Sequence, residues 1–306
     1  MYNYIREDSM MKYKKESVLS TIALALVALT WGTSYAIVKD ALNSISPFTL
    51  MALRFGLSTI VLSIFFSKRL KKIKKKDVVQ GSVIGIFMFF SFFTLVTGIS
   101  YTTASKQSFI VGAYVLIVPF LAWLINKKKP DRYSIIGTVL ATVGIGLLTI
   151  NGSFNINKGD LISILCSISF ACHMIAIEYF SKESDPIIST IMQFAITAIL
   201  FIMLTGIFES FNFVLTSKLI KSVSYLVIVT TVIAFATQNI AQKYISVTST
   251  ALILTLESTF GGVFAVIVLN ETMSFQMIIG CIVVLIGIVI GETKCKFIEV
   301  IYRKMH

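Results

Sequence analysis

The chain has 306 residues, of which 56% are hydrophobic and 14% charged, with a mean hydropathy of +0.86. A soluble domain is about a quarter charged, so this sequence has too little polar surface to cover a globule in water and reads as an integral membrane protein. Its net charge of +12 gathers in short segments between apolar runs, notably SKRLKKIKKK (67–76) and NKKKPDR (126–132), which is the pattern of loops at a bilayer and not of a nucleic-acid-binding face.

In chain order, MYNYIREDSMMKYKKES (1–17) is polar and carries no apolar core with a small-residue cleavage site, so it is expected to be a cytoplasmic tail before an uncleaved first anchor. Ten apolar runs follow, each near the ~20 residues needed to cross hydrocarbon. They cover 18–38, 47–66, 78–98, 104–125, 133–151, 160–180, 187–207, 222–241, 247–268 and 274–291. Residues 292–306 form a second tail. The connections are short and leave no room for a soluble domain.

Twenty-one of the 27 Lys and Arg residues fall on the side of the N-terminus; five (Lys39, Lys106, Lys158, Lys218, Lys221) fall on the other, and Arg54 lies within a helix. That bias predicts both termini in the cytoplasm. The Lys-, Ile-, Asn- and Phe-rich composition hints at an AT-rich bacterial genome, and the expected location is the bacterial cytoplasmic membrane.

The chain also repeats itself. A shift of 139 residues lays Pro47 on Pro186, Phe55 on Phe194 and Arg54 on Gln193. A shift of 143 lays Tyr101 on Tyr244, Gly137 on Gly280 and Gly144 on Gly287. Residues 18–151 and 160–291 thus read as two five-helix units. An odd-numbered unit must re-enter the membrane from the opposite face, so the expected fold is an all-α membrane protein of two inverted repeats, an architecture of secondary transporters.

WGTSY (31–35), Pro47 with Arg54, YTTASKQS (101–108), AYVLIVP (113–119), Gly159-Asp160-Leu161, SVTSTALILTLES (246–258), Leu269-Asn270-Glu271 and the run from Gly280 to Gly287 together resemble the drug/metabolite transporter superfamily, in its ten-helix EamA-like branch. The resemblance covers nearly the whole chain outside the tails. It implies a 5+5 inverted fold and export or exchange of small metabolites, often amino acids. A proline commonly follows the glutamate-containing stretch of the ninth helix; Ser258 and Thr259 stand there instead, which puts a helix break at that point in question.

Several residues are candidates for the work. Glu257 lies about ten residues into the ninth run, ~15 Å deep at helical rise, where a charge costs ~3 kcal/mol or more. It reads as a cavity-facing acid for a substrate amino group or a proton, or else as a protonated group bonded to a neighbour such as Ser258. Its repeat counterpart is Tyr114. Arg54 lies ~10 Å below the end of the second helix. It reads either as a carboxylate receptor or as an inter-helix lock on Glu257, Asp40 or carbonyls. His173 is a second proton-coupling candidate or a packing histidine, and Glu178, on another face of the same helix, is expected to be solvated. Gln193, Gln238, Asn239 and Gln242 must each find partners away from water. Trp31 and Tyr35 are candidate cavity walls, and the phenylalanines of IFMFFSFF (86–93) read as packing or lipid-facing bulk. Gly81/Gly85 and Gly287/Gly291 match close-packing GxxxG spacing.

The four cysteines (Cys166, Cys172, Cys281, Cys295) form no CxxC and no metal set. No phosphate loop, HExxH or GxSxG motif is present, so neither a cofactor nor catalysis is expected. The expected partners are a small-molecule substrate, possible protons and the bilayer, with no nucleic acid and a monomer or weak homodimer. The leading expectation is an alternating-access carrier of a small polar metabolite such as an amino acid. Exporters of cationic or aromatic drugs, carriers of nucleotide-type metabolites, and a channel are the competing readings.

Overall fold

A computed structural model describes residues 2–127, 129–149, 157–181, 183–269 and 275–293. The first repeat region builds α1 (Tyr2–Ala41), α2 (Pro47–Phe65), the short α3 (Ser67–Leu70), α4 (Lys75–Ile99), α5 (Ala104–Gly112), α6 (Tyr114–Asn126) and α7 (Arg132–Thr149). The second builds α8 (Lys158–Ser181), α9 (Pro186–Phe208), α10 (Ser217–Val227), a π-helical turn (Ile228–Ile233), α11 (Ala234–Ala241), α12 (Val247–Leu254), α13 (Leu256–Leu269) and α14 (Phe275–Thr293). No strand occurs among the described residues.

Among the described residues, eight helical runs are long and apolar enough to cross a membrane: Lys15–Ala41, Pro47–Phe65, Lys75–Ile99, Ala104–Asn126, Lys158–Phe180, Pro186–Phe208, Ser217–Ala241 and Val247–Phe264. The fifth and tenth expected runs also form helices, but their apolar stretches, Arg132–Leu147 and Ile278–Gly291, are shorter. Helix α10 starts at Ser217, five residues before the expected boundary, because Thr216 caps it by accepting from the Leu219 N–H. The tail from 294 onward with Cys295, as well as Lys182, Asn270 and Glu271, lies outside the described residues.

Local chemistry sets the ends of these rods. Pro47 and Pro186 both sit at a helix start, where a missing N–H costs nothing. The Asp185 side chain accepts from Ile187 N, while Ser46 makes no such cap. Glu209 takes over that role for α2 from a distance, accepting from Phe48 N at 3.1 Å and Thr49 N at 2.9 Å. In this way the end of α9 is tied to the start of α2.

Two crossing runs are interrupted at their middles. Ala113 separates α5 from α6, and Thr255 separates α12 from α13. At both points the backbone tightens: Leu116 N bonds to Ala113 O and Ser258 N to Thr255 O, three residues back. The break in the ninth run thus forms without a following proline. Thr255 Oγ1 donates to Ala251 O at 2.8 Å, a side-chain bond that competes with the helical ladder and bends it.

The glycine register explains the closest packing. A Cβ on Gly137 would lie 2.6 Å from Gly287 O, and one on Gly144 would lie 2.7 Å from Gly280 O. Early residues of α7 meet late residues of α14 and the reverse, so the pair is antiparallel and packs backbone to backbone. The same 143-residue shift that relates these glycines maps one contact onto the other. Phe55 and Phe194, related by the 139 shift, meet with centroids 5.9 Å apart. Gly81 and Gly85 let α4 approach α9 at Met192, Gln193 and Ile196.

Gly144→Ala should therefore cost about 1–3 kcal/mol through overpacking. Gly146→Ala, whose Cβ meets nothing within 4 Å, should leave stability unchanged or raised. Thermal unfolding in detergent distinguishes the two neighbours on one helix.

Candidate functional site

At the centre of the bundle, α1, α2, α6, the π-turn and α13 bring together Trp31, Tyr35, Arg54, Tyr114 and Glu257. All are buried; Arg54 is 2% exposed and Glu257 3%. The helix breaks account for part of this. Tyr114 is the first residue of α6 and Glu257 the second of α13, so each stands at the N-terminal end of a half-helix, where the aligned peptide dipoles favour negative charge. The Tyr35 and Tyr114 side chains are within interacting range of the Glu257 carboxyl. The Tyr114 hydroxyl nonetheless makes no direct hydrogen bond to any described residue.

Arg54 is held from the other side. Its Nε donates to Thr231 Oγ1 at 2.6 Å and its Nη2 to Thr230 Oγ1 at 3.0 Å. The guanidinium carbon lies 4.8 Å from the Phe92 ring centroid and 5.7 Å from that of Phe55. These contacts explain the π-turn. Thr231 Oγ1 donates to Leu226 O, five residues back, and the widened turn exposes the Thr230 carbonyl. That carbonyl accepts from Trp31 Nε1 at 2.9 Å and from Arg54 Nη2 at 3.4 Å. No carboxylate among the described residues pairs with Arg54, and Asp40 is taken by Lys218 at 2.7 Å. The lock on Glu257 or Asp40 is therefore not the arrangement found; the hydroxyl and carbonyl clamp is. Tyr35 is within electrostatic range of both Arg54 and Glu257.

The rings of Trp31, Phe92, Phe170 and Phe235 form one touching set beside Arg54, with Trp31 and Phe235 only 4.8 Å apart. Phe92 comes from the IFMFFSFF run. Its neighbour Phe90 is half-exposed as that run suggests, but Phe92 is buried as a wall against Arg54. Thr230, Thr231, Phe170 and Phe235 escape sequence reasoning as well. The TT pair inside an apolar run was the one available signal.

The remaining candidates are distributed around this centre. His173 bonds to Gln193 at 2.7 Å between the rings of Phe170 and Phe235. Asn239 donates to Phe235 O, and Gln242 to Met174 O. Gln238 is fully buried, with neither amide atom bonded to any described residue. Glu178 is half-buried and structural, in contrast to the solvated group expected: it accepts from Val247 N at 2.9 Å, capping α12, and from Asn126 Nδ2 at 2.8 Å. Ser258 donates to Ser108 O and not to Glu257. Tyr101 is exposed, as a surface belt residue would be.

One end of the bundle holds a cavity of about 780 Å³ lined by Gln80, Asn126, Glu178, Glu183 and Ser246 among others. At its mouth Lys76 hydrogen-bonds Glu183 and holds that carboxyl below its usual range. The opposite end is tied shut more firmly. Lys106 meets the buried Asp160 at 2.6 Å, Thr102 adds a bond at 2.9 Å, and Lys39 donates to Thr102 O at 2.8 Å.

Membrane-length helices around a buried polar centre define an integral, multi-pass membrane protein, and its relatives make it a transporter. The sequence pattern of the EamA-like transporter family matches residues 19–150 and again 157–291, and the chain belongs to that family. It is 32% identical over 275 residues to an uncharacterized transporter of Archaeoglobus fulgidus, covering 89% of this chain and 85% of that one. It is 26% identical to the uncharacterized transporter YyaM of Bacillus subtilis, over 84% and 88% of the two chains. A crystal structure at 18% identity has the same fold, with a TM-score of 0.75 over 92% of this chain and 99% of its own.

The clamp on Arg54 is measurable. A double-mutant cycle of Thr231→Val with Arg54→Met should return a coupling of about 1.5–3 kcal/mol in unfolding free energy, the range of a hydrogen bond to a charged group. Independent, additive effects would place the guanidinium elsewhere.

Proposed function

We infer that the protein is a secondary carrier of a small zwitterion, an amino acid or a close relative, working by alternating access. The observation that supports this most is a buried guanidinium that no carboxylate among the described residues pairs with, while Tyr35 is within range of both it and the buried Glu257 carboxyl. A permanent cation kept from water without a counter-ion is costly, and the cost is offset when an anionic ligand group arrives. Arg54 has N–H groups beyond those used on Thr230 and Thr231, and its planar fork suits a carboxylate. Glu257 suits the ammonium, and it is also the group for proton coupling. The aromatic set would favour a lipophilic cation as the second reading; the arginine at the same centre opposes it.

The access mechanism rests on ten crossing helices in two inverted repeats, residues 18–151 and 160–291. The family pattern occurring twice, the reciprocal glycine contacts of antiparallel α7 and α14, and the Phe55–Phe194 contact all support a two-fold axis in the membrane plane. Placing both termini in the cytoplasm puts the cavity beside Glu178 on the cytoplasmic side and the Lys106–Asp160 tie on the outer side. The carrier then faces inward and loads from the cytoplasm, which fits export or exchange through a bacterial cytoplasmic membrane.

Counterflow into proteoliposomes preloaded with mixed amino acids, read by mass spectrometry, tests the reading. The wild type should exchange a subset saturably. Glu257→Gln should lose exchange or its pH dependence, and Arg54→Lys should lower affinity about tenfold or more. Full activity with an unchanged pH profile in Glu257→Gln removes the carboxyl from the mechanism. Absence of amino-acid exchange by folded wild type overturns the substrate class.

A further inference from the structure

Beside the charged pair lies a third polar corner that carries no charge. His173 on α8, Gln193 on α9 and Gln238 on α11 are each fully buried, at 0% exposure. His173 and Gln193 satisfy one another once, Nε2 to Oε1 at 2.7 Å. That leaves His173 Nδ1 and Gln193 Nε2 unbonded among the described residues, together with both amide atoms of Gln238. The three side chains share one region. Phe235 and Gln238 on α11 and Gln242 at its C-cap recur at helical spacing. Phe235 touches the His173 ring at 5.9 Å, and Gln242 bonds to Met174 O next to His173. The spacing sets Gln238 one helical turn from Phe235 and from Gln242, on the side of α11 that meets His173 and Met174.

The hydrogen-bonding capacity of this corner follows from the chemistry of the groups. In the His173–Gln193 bond one partner donates and the other accepts. Whichever way the amide is turned, the pair keeps one donor and one acceptor free, and Gln238 adds one of each. Leaving four such atoms unbonded in a low-dielectric bundle is costly, and a ligand able to bond them offsets that cost. No ionised group of the described residues bonds to them, so a charged ligand group here would be buried without a counter-ion. Phe170 and Phe235 wall this corner; both touch Phe92, which lies against the Arg54 guanidinium, and Phe170 also touches Tyr114, which is within range of Glu257. One continuous set of rings thus joins the corner to Arg54 and Glu257.

We propose that His173, Gln193 and Gln238 form a side-chain subsite that selects a neutral group able both to donate and to accept, a carboxamide above all. The proposal rests on the zwitterion reading and names its substrate class: amino acids with carboxamide side chains over those with apolar side chains of similar size. A site built to bond a polar group rejects the apolar analogue strongly, because its own donors and acceptors are left empty.

The test is competitive counterflow of isotope-labelled glutamine against methionine and leucine in reconstituted wild type, Gln238→Met and Gln193→Met. The wild type should favour glutamine over methionine by roughly tenfold or more. Gln238→Met should bring that ratio near one while methionine exchange continues. A wild-type ratio within twofold, or one favouring methionine, overturns the subsite and leaves the charged pair standing. A strong glutamine preference unchanged in both variants also overturns it, since the selecting groups then lie elsewhere. If either variant fails to accumulate folded, the wild-type ratio alone decides. If the wild type exchanges none of the three and no other amino acid, the zwitterion reading fails and the subsite with it.

Discussion

A guanidinium held inside a bundle of membrane helices constrains everything built around it. Arg54 stays charged at any physiological pH, and moving it from water to the protein centre costs several kcal/mol unless its N–H groups are occupied. The fold meets that demand with neutral groups: two threonine hydroxyls, one carbonyl and the faces of Phe55 and Phe92. Each of these imposes a further feature. The hydroxyls require the π-turn between α10 and α11, the turn frees the carbonyl, and the carbonyl fixes Trp31. Trp31 in turn packs against Phe170 and Phe235, the rings at the centre of the bundle.

The opposite wall solves a related problem by different means. Glu257 is an acid near the middle of an apolar run, and the chain places it in the first turn of a fresh half-helix instead of the interior of a long one. The half-helix dipole and two phenols then surround it. Cationic and acidic groups thus face a shared aromatic centre from separate supports, one on an unbroken helix and one on a broken helix.

Much of this scaffold is legible in the sequence because lipid leaves few alternatives. Long apolar runs must become helices, and runs of that length mark their own ends to within a few residues. Gly137, Gly144, Gly280 and Gly287 are visible as a repeat and turn out to be one contact seen twice. Arg54, Tyr114 and Glu257 stand out because such groups are rare at that depth. What stays hidden is set by partners far away in the chain. Nothing in IFMFFSFF distinguishes Phe92 from Phe90 until Arg54 is placed beside it. The pair Thr230–Thr231 resembles any β-branched stretch until Leu226 O is seen to accept from both. Likewise Glu209 caps a helix 160 residues away, a relation no local pattern encodes.

The interruptions at Ala113 and Thr255 have a mechanical corollary. Because the ladder of backbone bonds is already tightened and divided there, the pieces on either side can tilt without tearing a continuous rod. Helix α13, with its 14 residues, is about 21 Å long. Turned by about ten degrees around its inner end, a lever of that length sweeps its tip through some ~3–4 Å, a little more than the width of a water molecule, by the same helical geometry. Motions of that size are enough to open or seal a path for water while the side chains next to the pivot, Tyr114 and Glu257, hardly move. Short strokes of that kind would suffice for the alternating access proposed above, with the central side chains staying together.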